Sequence, residues 1–216
     1  HVRLTGVAPK VRILAIRSFS PKGGGADGTT YNIIKGLDWA VQNGARIINM
    51  SFAGPADPAA NGLLAMAHDK GLVLIAASGN FGPKSPPQYP GAAPHVIAVS
   101  ATDASDKLYF AANRGRHVSI SAPGVEVRLP APNGLYQTHS GTSFATGYVS
   151  GVAALVIERN PGIAADEVKR VLEATAKDLG PRGKDDQFGA GRIDAYQAVV
   201  TLEPQATAAS PTSNSK

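Results

Sequence analysis

Three short stretches carry residues whose types and order could perform acyl transfer. In Ser140-Gly141-Thr142-Ser143-Phe144-Ala145, a serine stands at the start of an apolar run with helical spacing. Serine and threonine are good helix caps, and that is one reading. The other is chemical. A serine at a helix start gains a backbone N–H and the positive end of the helix dipole, and both favour negative charge on an attacked carbonyl oxygen. In Ala76-Ala77-Ser78-Gly79-Asn80, the Asn80 amide could donate to the same oxygen, or Gly79-Asn80 could be a plain turn. In Ile47 to Gly54 (IINMSFAG), a strand ends in small residues. Such an end can take up an extended peptide as an added strand, or simply leave the sheet. The loop Gly23-Gly24-Gly25-Ala26-Asp27-Gly28 could line the other side of that peptide. It is not a phosphate loop, because no Gly-Lys-Ser/Thr ends the run.

Alternating strands and helices must position these stretches. Val11 to Phe19 (VRILAIRSF) is β-rich and predicts a first strand. Thr29 or Thr30 can cap a helix to about Asn43, with Ile33, Ile34, Leu37, Ala40 and Val41 at helical spacing and Gly44 as its stop. Ala45 to Ser51 predicts a second strand, Ala59 to Lys70 a helix ended by Gly71, and Leu72 to Ala77 a fully apolar third strand. His95 to Ser100 and His117 to Ser121 supply two more. The apolar stripes Ala145, Val149, Val152, Ala153, Val156 and Val168, Val171, Leu172 predict two helices, and a last one starts at Asp194. Fully apolar strands separated by helices imply an α/β fold, a doubly wound and mainly parallel sheet with helices on both faces. Ligands of such sheets sit beyond the carboxyl ends of the strands, here Ser51 to Gly54, Ser78 to Phe81 and the loops near Ser121. Residues 1–203 are expected to form one domain. Residues 204–216, small, polar and Pro-containing, predict a disordered tail or linker.

Composition narrows the classes further. With 43% hydrophobic and 17% charged residues, the 216-residue chain can build a core and is not globally disordered. Absence of cysteine excludes a disulfide framework, Cys-ligated zinc and a thiol nucleophile. No apolar run reaches the roughly 18 residues of a membrane span. The net charge of +5 comes from scattered Lys and Arg with no interleaved aromatics, so no nucleic acid is expected as a partner.

Order and spacing together resemble one family. Gly6-Val7-Ala8-Pro9, Ile47 to Gly54, Ala76 to Asn80, Tyr89-Pro90-Gly91, Val96-Ile97-Ala98-Val99, Ser121-Ala122-Pro123-Gly124, Gly141 to Ala145 and Gly189-Ala190-Gly191 are similar to the motifs of subtilisin-like serine proteases, the subtilases. The resemblance runs from about residue 6 to about residue 200. It implies a serine endopeptidase in which Ser143 is the acylated nucleophile and Asn80, with the Ser143 N–H, forms the oxyanion hole. It implies that Ser51, Phe52, Ala53 and Gly54 flank the substrate side-chain pocket together with Ala77, Ser78 and Gly79. Gln88 and Gly91 would lie near its floor, and Gly25, Ala26, Asp27 and Gly28 would form the opposite peptide-binding strand. Gln88 supplies no full charge, so an uncharged side chain is expected before the cut. A peptide or protein substrate and an extracellular or periplasmic location follow from the same resemblance.

Some family features have no counterpart here. Asp-Thr/Ser-Gly and His-Gly-Thr are absent, and none of His1, His68, His95, His117 and His139 precedes Gly-Thr. His1 stands too close to Gly6 for the family's His-bearing helix, and His139 reads as a loop residue. The sequence therefore predicts a fragment that holds nucleophile and oxyanion hole without the Asp and His. A separate N-terminal fragment would supply them. A serine hydroxyl without a base is a poor nucleophile, so the chain alone is expected to be nearly inactive. The alternative is a non-catalytic relative that binds peptides through the same cleft. An α/β-hydrolase is disfavoured, because Ser143 is not in a Gly-x-Ser-x-Gly elbow. Gly147-Tyr148 stands where the family often has Pro-His. No cofactor is certain. Calcium is left open, through carbonyls near Gly91 to Val96.

Overall fold

Residues 4–22 and 25–202 are described by the computed structural model. His1, Gly23, Gly24 and the expected tail 204–216 lie outside them.

Two three-residue strands, β1 (Ser20–Lys22) and β2 (Gly25–Asp27), pair antiparallel. Helix α1 (Thr30–Gln42) follows. Its start is fixed by Thr29, whose hydroxyl accepts the Asn32 N–H at 3.2 Å, and Gly44 ends it at φ +73°. Then come β3 (Ile47–Met50), α2 (Pro58–Asp69), β4 (Val73–Ala77), β5 (Val96–Thr102) and β6 (Val118–Pro123). Asp57 caps α2, accepting from Ala60 N at 2.9 Å with Pro58 at the first turn. The four strands form one parallel sheet in the order β3-β4-β5-β6.

Side chains alternate across this sheet, as a two-residue period requires. Leu74, Ala76, Ile48 and Met50 face α1 and α2. Val73, Ile75, Ile97, Val99 and Ile120 face α3 (Thr142–Arg159), α4 (Ala165–Ala174) and α5 (Ala195–Val200). The stripe Val149, Val152, Val156 of α3 is buried, each residue contributing about 1.5–3 kcal/mol over an exposed position. Helix α3 touches all four strands of the sheet. The doubly wound architecture expected from the sequence is the one observed. No helix among the described residues is long and apolar enough to cross a membrane.

Two local expectations need correction. Residues 11–19 form no strand. Strand propensity is realised only by pairing, and this segment joins no ladder among the described residues. It packs instead on α1, where a Cβ at Gly36 would meet Ser18 Oγ at 2.6 Å. The antiparallel pair β7 (Val127–Ala131) and β8 (Leu135–His139) was not expected. Its connection turns through Asn133 at φ +62° and Gly134 at φ +71°.

The far end of the chain is tied back by charge. Asp106 lies between Lys177 Nζ at 2.9 Å and Arg192 Nη1 at 2.5 Å. The hydrogen bond from Lys177, with Arg192 adding to it, holds its carboxyl below the usual aspartate range against the effect of burial. A depressed folded value contributes stability that is present above the unfolded value, near 3.9, and lost as pH falls through the folded one. Thermal scans from pH 7 to pH 2 should therefore show a shallower acid decline for Asp106→Asn than for wild type. Asn tolerates the φ of +62° at this position, so the substitution isolates the charge.

Candidate active site

Helix α3 begins where β3 and β4 end. Gly141 (φ +159°) is its N-cap residue and offers no side chain, so the first turn must find other partners. Asn80 supplies one. Its Oδ1 accepts the Thr142 N–H at 3.0 Å and the Thr142 hydroxyl at 3.0 Å. Two donors on one oxygen settle the orientation of the amide, because Nδ2 could accept neither. Nδ2 is therefore turned to the other side. Among the described residues, neither Asn80 Nδ2 nor the Ser143 N–H has a hydrogen-bond partner. The cap reading of Ser143 is set aside, since its hydroxyl donates to the Ser51 carbonyl at 3.0 Å. The Ser51 hydroxyl in turn donates to the Ser143 carbonyl at 2.9 Å. This reciprocal pair locks the helix start onto the exit of β3.

The loop that carries Asn80 is braced from beneath. Gly79 has φ +110°, which favours glycine. Buried Asn113 accepts the Phe81 N–H at 2.8 Å and donates its own N–H to the Gly79 carbonyl at 3.0 Å. Asn80 itself is exposed and Ser143 half-buried, so both open to solvent. Gly54 and Tyr89 exchange two backbone hydrogen bonds of 2.8 and 2.9 Å, which brings Gln88 and Gly91 beside Ser51 to Gly54. A Cβ at Gly91 would meet the Ala77 carbonyl oxygen at 2.6 Å, so these two segments touch closely. Ala26 lines one groove together with Ser51 and Phe52, and a Cβ at Gly28 would meet the Phe19 ring at 2.6 Å. Of the sequence-predicted residues, Ala26, Ser51 and Phe52 share one groove, Gly91 touches Ala77, and Asn80 and Ser51 bond the first turn of α3. Two N–H donors and a serine hydroxyl at one helix start can stabilise a carbonyl oxygen that gains charge.

The expectation of nucleophile and oxyanion donors without an Asp and a His is overturned. His68, His95 and Asp166 come together, their ligand atoms within 4.8 Å of one another. His68 Nε2 lies 3.1 Å from Asp166 Oδ1. No local motif announces this group, because it joins the last turn of α2, the residue before β5 and the first turn of α4. It occupies the amino ends of the strands, whereas Asn80 and Ser143 occupy the carboxyl ends. The expected second polypeptide that would supply an Asp and a His has no support in the fold or in the relatives.

A serine and two N–H donors without partners among the described residues thus meet at the carboxyl edge of a parallel α/β sheet. The Subtilase family profile (Peptidase S8) matches residues 1–191, and the chain belongs to that family. It is 34% identical over 206 residues to Minor extracellular protease Epr of Bacillus subtilis (strain 168), covering 95% of this chain and 31% of Epr. It is 37% identical over 202 residues to Subtilisin DY of Bacillus licheniformis, covering 90% of this chain and 70% of that protein. The crystal structure of a lanthipeptide protease superposes with a TM-score of 0.82 at 27% identity, covering 91% of this chain and 72% of that one. The chain thus spans under a third of the length of Epr and more than two thirds of Subtilisin DY.

Calcium at residues 91–96 would have to be held by backbone carbonyls, which are among its ordinary ligands. The segment has no Asp or Glu, and the Ala93 carbonyl already accepts the Val96 N–H at 3.4 Å.

Proposed function

We propose that the cleft hydrolyses peptide bonds by acyl transfer to Ser143. The observation that carries this reading is the Asn80–Thr142 pair, which leaves Asn80 Nδ2, like the Ser143 N–H, a donor without a partner among the described residues. In this reading Ser143 Oγ attacks the scissile carbonyl as a general base takes its proton, and the two N–H groups stabilise the oxygen as it becomes negative. The C–N bond then breaks as the base returns the proton to the leaving amine. The acyl-Ser143 ester is then hydrolysed by water. A hydroxyl donating to a carbonyl is not activated, so the Ser143 side chain must turn from Ser51 to a base before attack.

Substrate peptide would run between Gly25 to Gly28 and Ser51 to Gly54, adding a strand to their edges. Its side chain before the cut would enter between Ser51 to Gly54 and Ala77 to Gly79, with Gln88 and Gly91 at the floor. An uncharged side chain suits this pocket. Family membership makes calcium plausible. An extracellular location is proposed from relatives such as Minor extracellular protease Epr.

A fluorophosphonate probe tests the proposal, because it reacts with an activated serine. Intact mass should show one adduct, located at Ser143 by peptide mapping and absent in Ser143→Ala. A wild-type protein that stays unlabelled under conditions that label a subtilisin completely would overturn it.

A further inference from the structure

We propose that His68, His95 and Asp166 form a binding site for a divalent transition-metal ion of the zinc type, at the opposite edge of the sheet from Ser143. Two imidazoles and one carboxylate are a donor set that suits zinc rather than calcium or magnesium, which prefer oxygen. The spacing suits it as well. Two ligand atoms about 2.0–2.1 Å from one tetrahedral ion stand roughly 3.3 Å apart, and His68 Nε2 is 3.1 Å from Asp166 Oδ1. All three ligand atoms lie within 4.8 Å of one another, and the stacked His68 and His95 rings must turn for both nitrogens to face one ion.

The group is held rather than floating. His68 is largely buried, with 13% of its side chain exposed, and its Nδ1 is buried without a hydrogen-bond partner. Its ring stacks on His95 at a centroid distance of 4.1 Å. His95 has φ +64°, a backbone conformation that side chains with a Cβ rarely adopt, and such outliers gather at ligand clamps. His95 and Asp166 are exposed, so an ion has access and water can complete its coordination.

The elements involved give the site a consequence. Helix α2 packs on one face of the sheet and α4 on the other. A bound ion would clasp both layers across the amino ends of β4 and β5. It would stabilise the folded state by mass action, because the unfolded chain does not hold the three ligands together.

Calorimetric titration of the protein with ZnCl2 at pH 7.5, paired with thermal melts, tests this. Wild type should take up one equivalent saturably. Its Tm should rise by about 5 °C or more once zinc reaches roughly a hundred times Kd. His95→Asn, which keeps a residue suited to positive φ, and Asp166→Asn should each weaken binding at least about tenfold and abolish the shift. Both positions are exposed, so both variants should fold, with Asp166→Asn losing at most about 1 kcal/mol from its helix-start charge and His68 contact. No saturable uptake, or uptake unchanged in both variants, would overturn the site. A calcium-induced shift of equal size that depends on the same residues would overturn its assignment to a zinc-type ion.

Discussion

Replacing Asn80 should lower peptide-hydrolysis turnover about a hundred- to a thousand-fold in Asn80→Ala, the size established for removing the corresponding amide of a subtilisin. The two ends of this side chain do different work. Oδ1 caps α3 through Thr142, while Nδ2 is the proposed donor to the developing oxyanion. Alanine removes both and leaves the buried Thr142 N–H without a partner, at a cost of about 1–3 kcal/mol. Asn80→Asp separates the two effects. Its carboxylate can still accept from Thr142, so the Tm should hold. It places negative charge where Nδ2 had donated, so turnover should fall at least as far as in the alanine variant. Kinetics and melts on the two variants decide the matter. An aspartate variant with near wild-type turnover would remove Asn80 from the chemistry.

Gly191→Ala should cause the largest loss of stability among single-methyl substitutions considered for this chain. Gly191 has φ +118°, and a Cβ there would collide with the Lys177 carbonyl oxygen and approach Asp178 Cα at 2.9 Å. None of these is the end of a flexible side chain. Lys177 and Arg192 exchange two backbone hydrogen bonds of 2.8 Å here, and the Gly191 carbonyl accepts the Ser121 N–H at 2.8 Å. Making room would pull this crossing away from β6. A loss of more than about 3 kcal/mol is expected, which lowers Tm by about 10 °C in a domain of this size. Gly183→Ala is the control. Its φ is +84° and nothing lies within 4 Å of a Cβ, so only the backbone penalty applies, about 1 kcal/mol. Equal melting shifts in the two variants would show that the collision at Gly191 carries no weight.

Much of this architecture is legible in the sequence, where local chemistry decides it. Thr29 and Gly44 bound α1 because a hydroxyl cap and a left-handed glycine are set by neighbouring residues alone. Strands β4 and β5 are buried along their whole length, so unbroken apolar runs betray them. Residues 11–19 mislead because they have the composition of a strand, and only the fold reveals whether a ladder partner exists. Hairpin β7–β8 hides behind Pro130 and Pro132, although Asn133-Gly134 between two short runs is a turn signal. At the cleft, Ser143 and Asn80 stand out by motif. The bond that orients Asn80 spans 62 positions and is invisible to any local pattern. His68 and Asp166 stand 98 positions apart on helices from opposite faces of the sheet, so their meeting could not be read from the sequence.

The strand order β3-β4-β5-β6 is also the order of the chain. Each strand emerging during synthesis therefore finds its neighbour already made, and no strand must be threaded between two others. The loop-closure entropy of each addition stays modest, because the connecting segment is a single crossover. Helix α3 is the exception. It contacts all four strands and can dock only after β6 is in place. Ser143 rides on its first turn, so the cleft would be assembled last. A nascent chain would then carry no finished acyl-transfer site while its sheet is still growing.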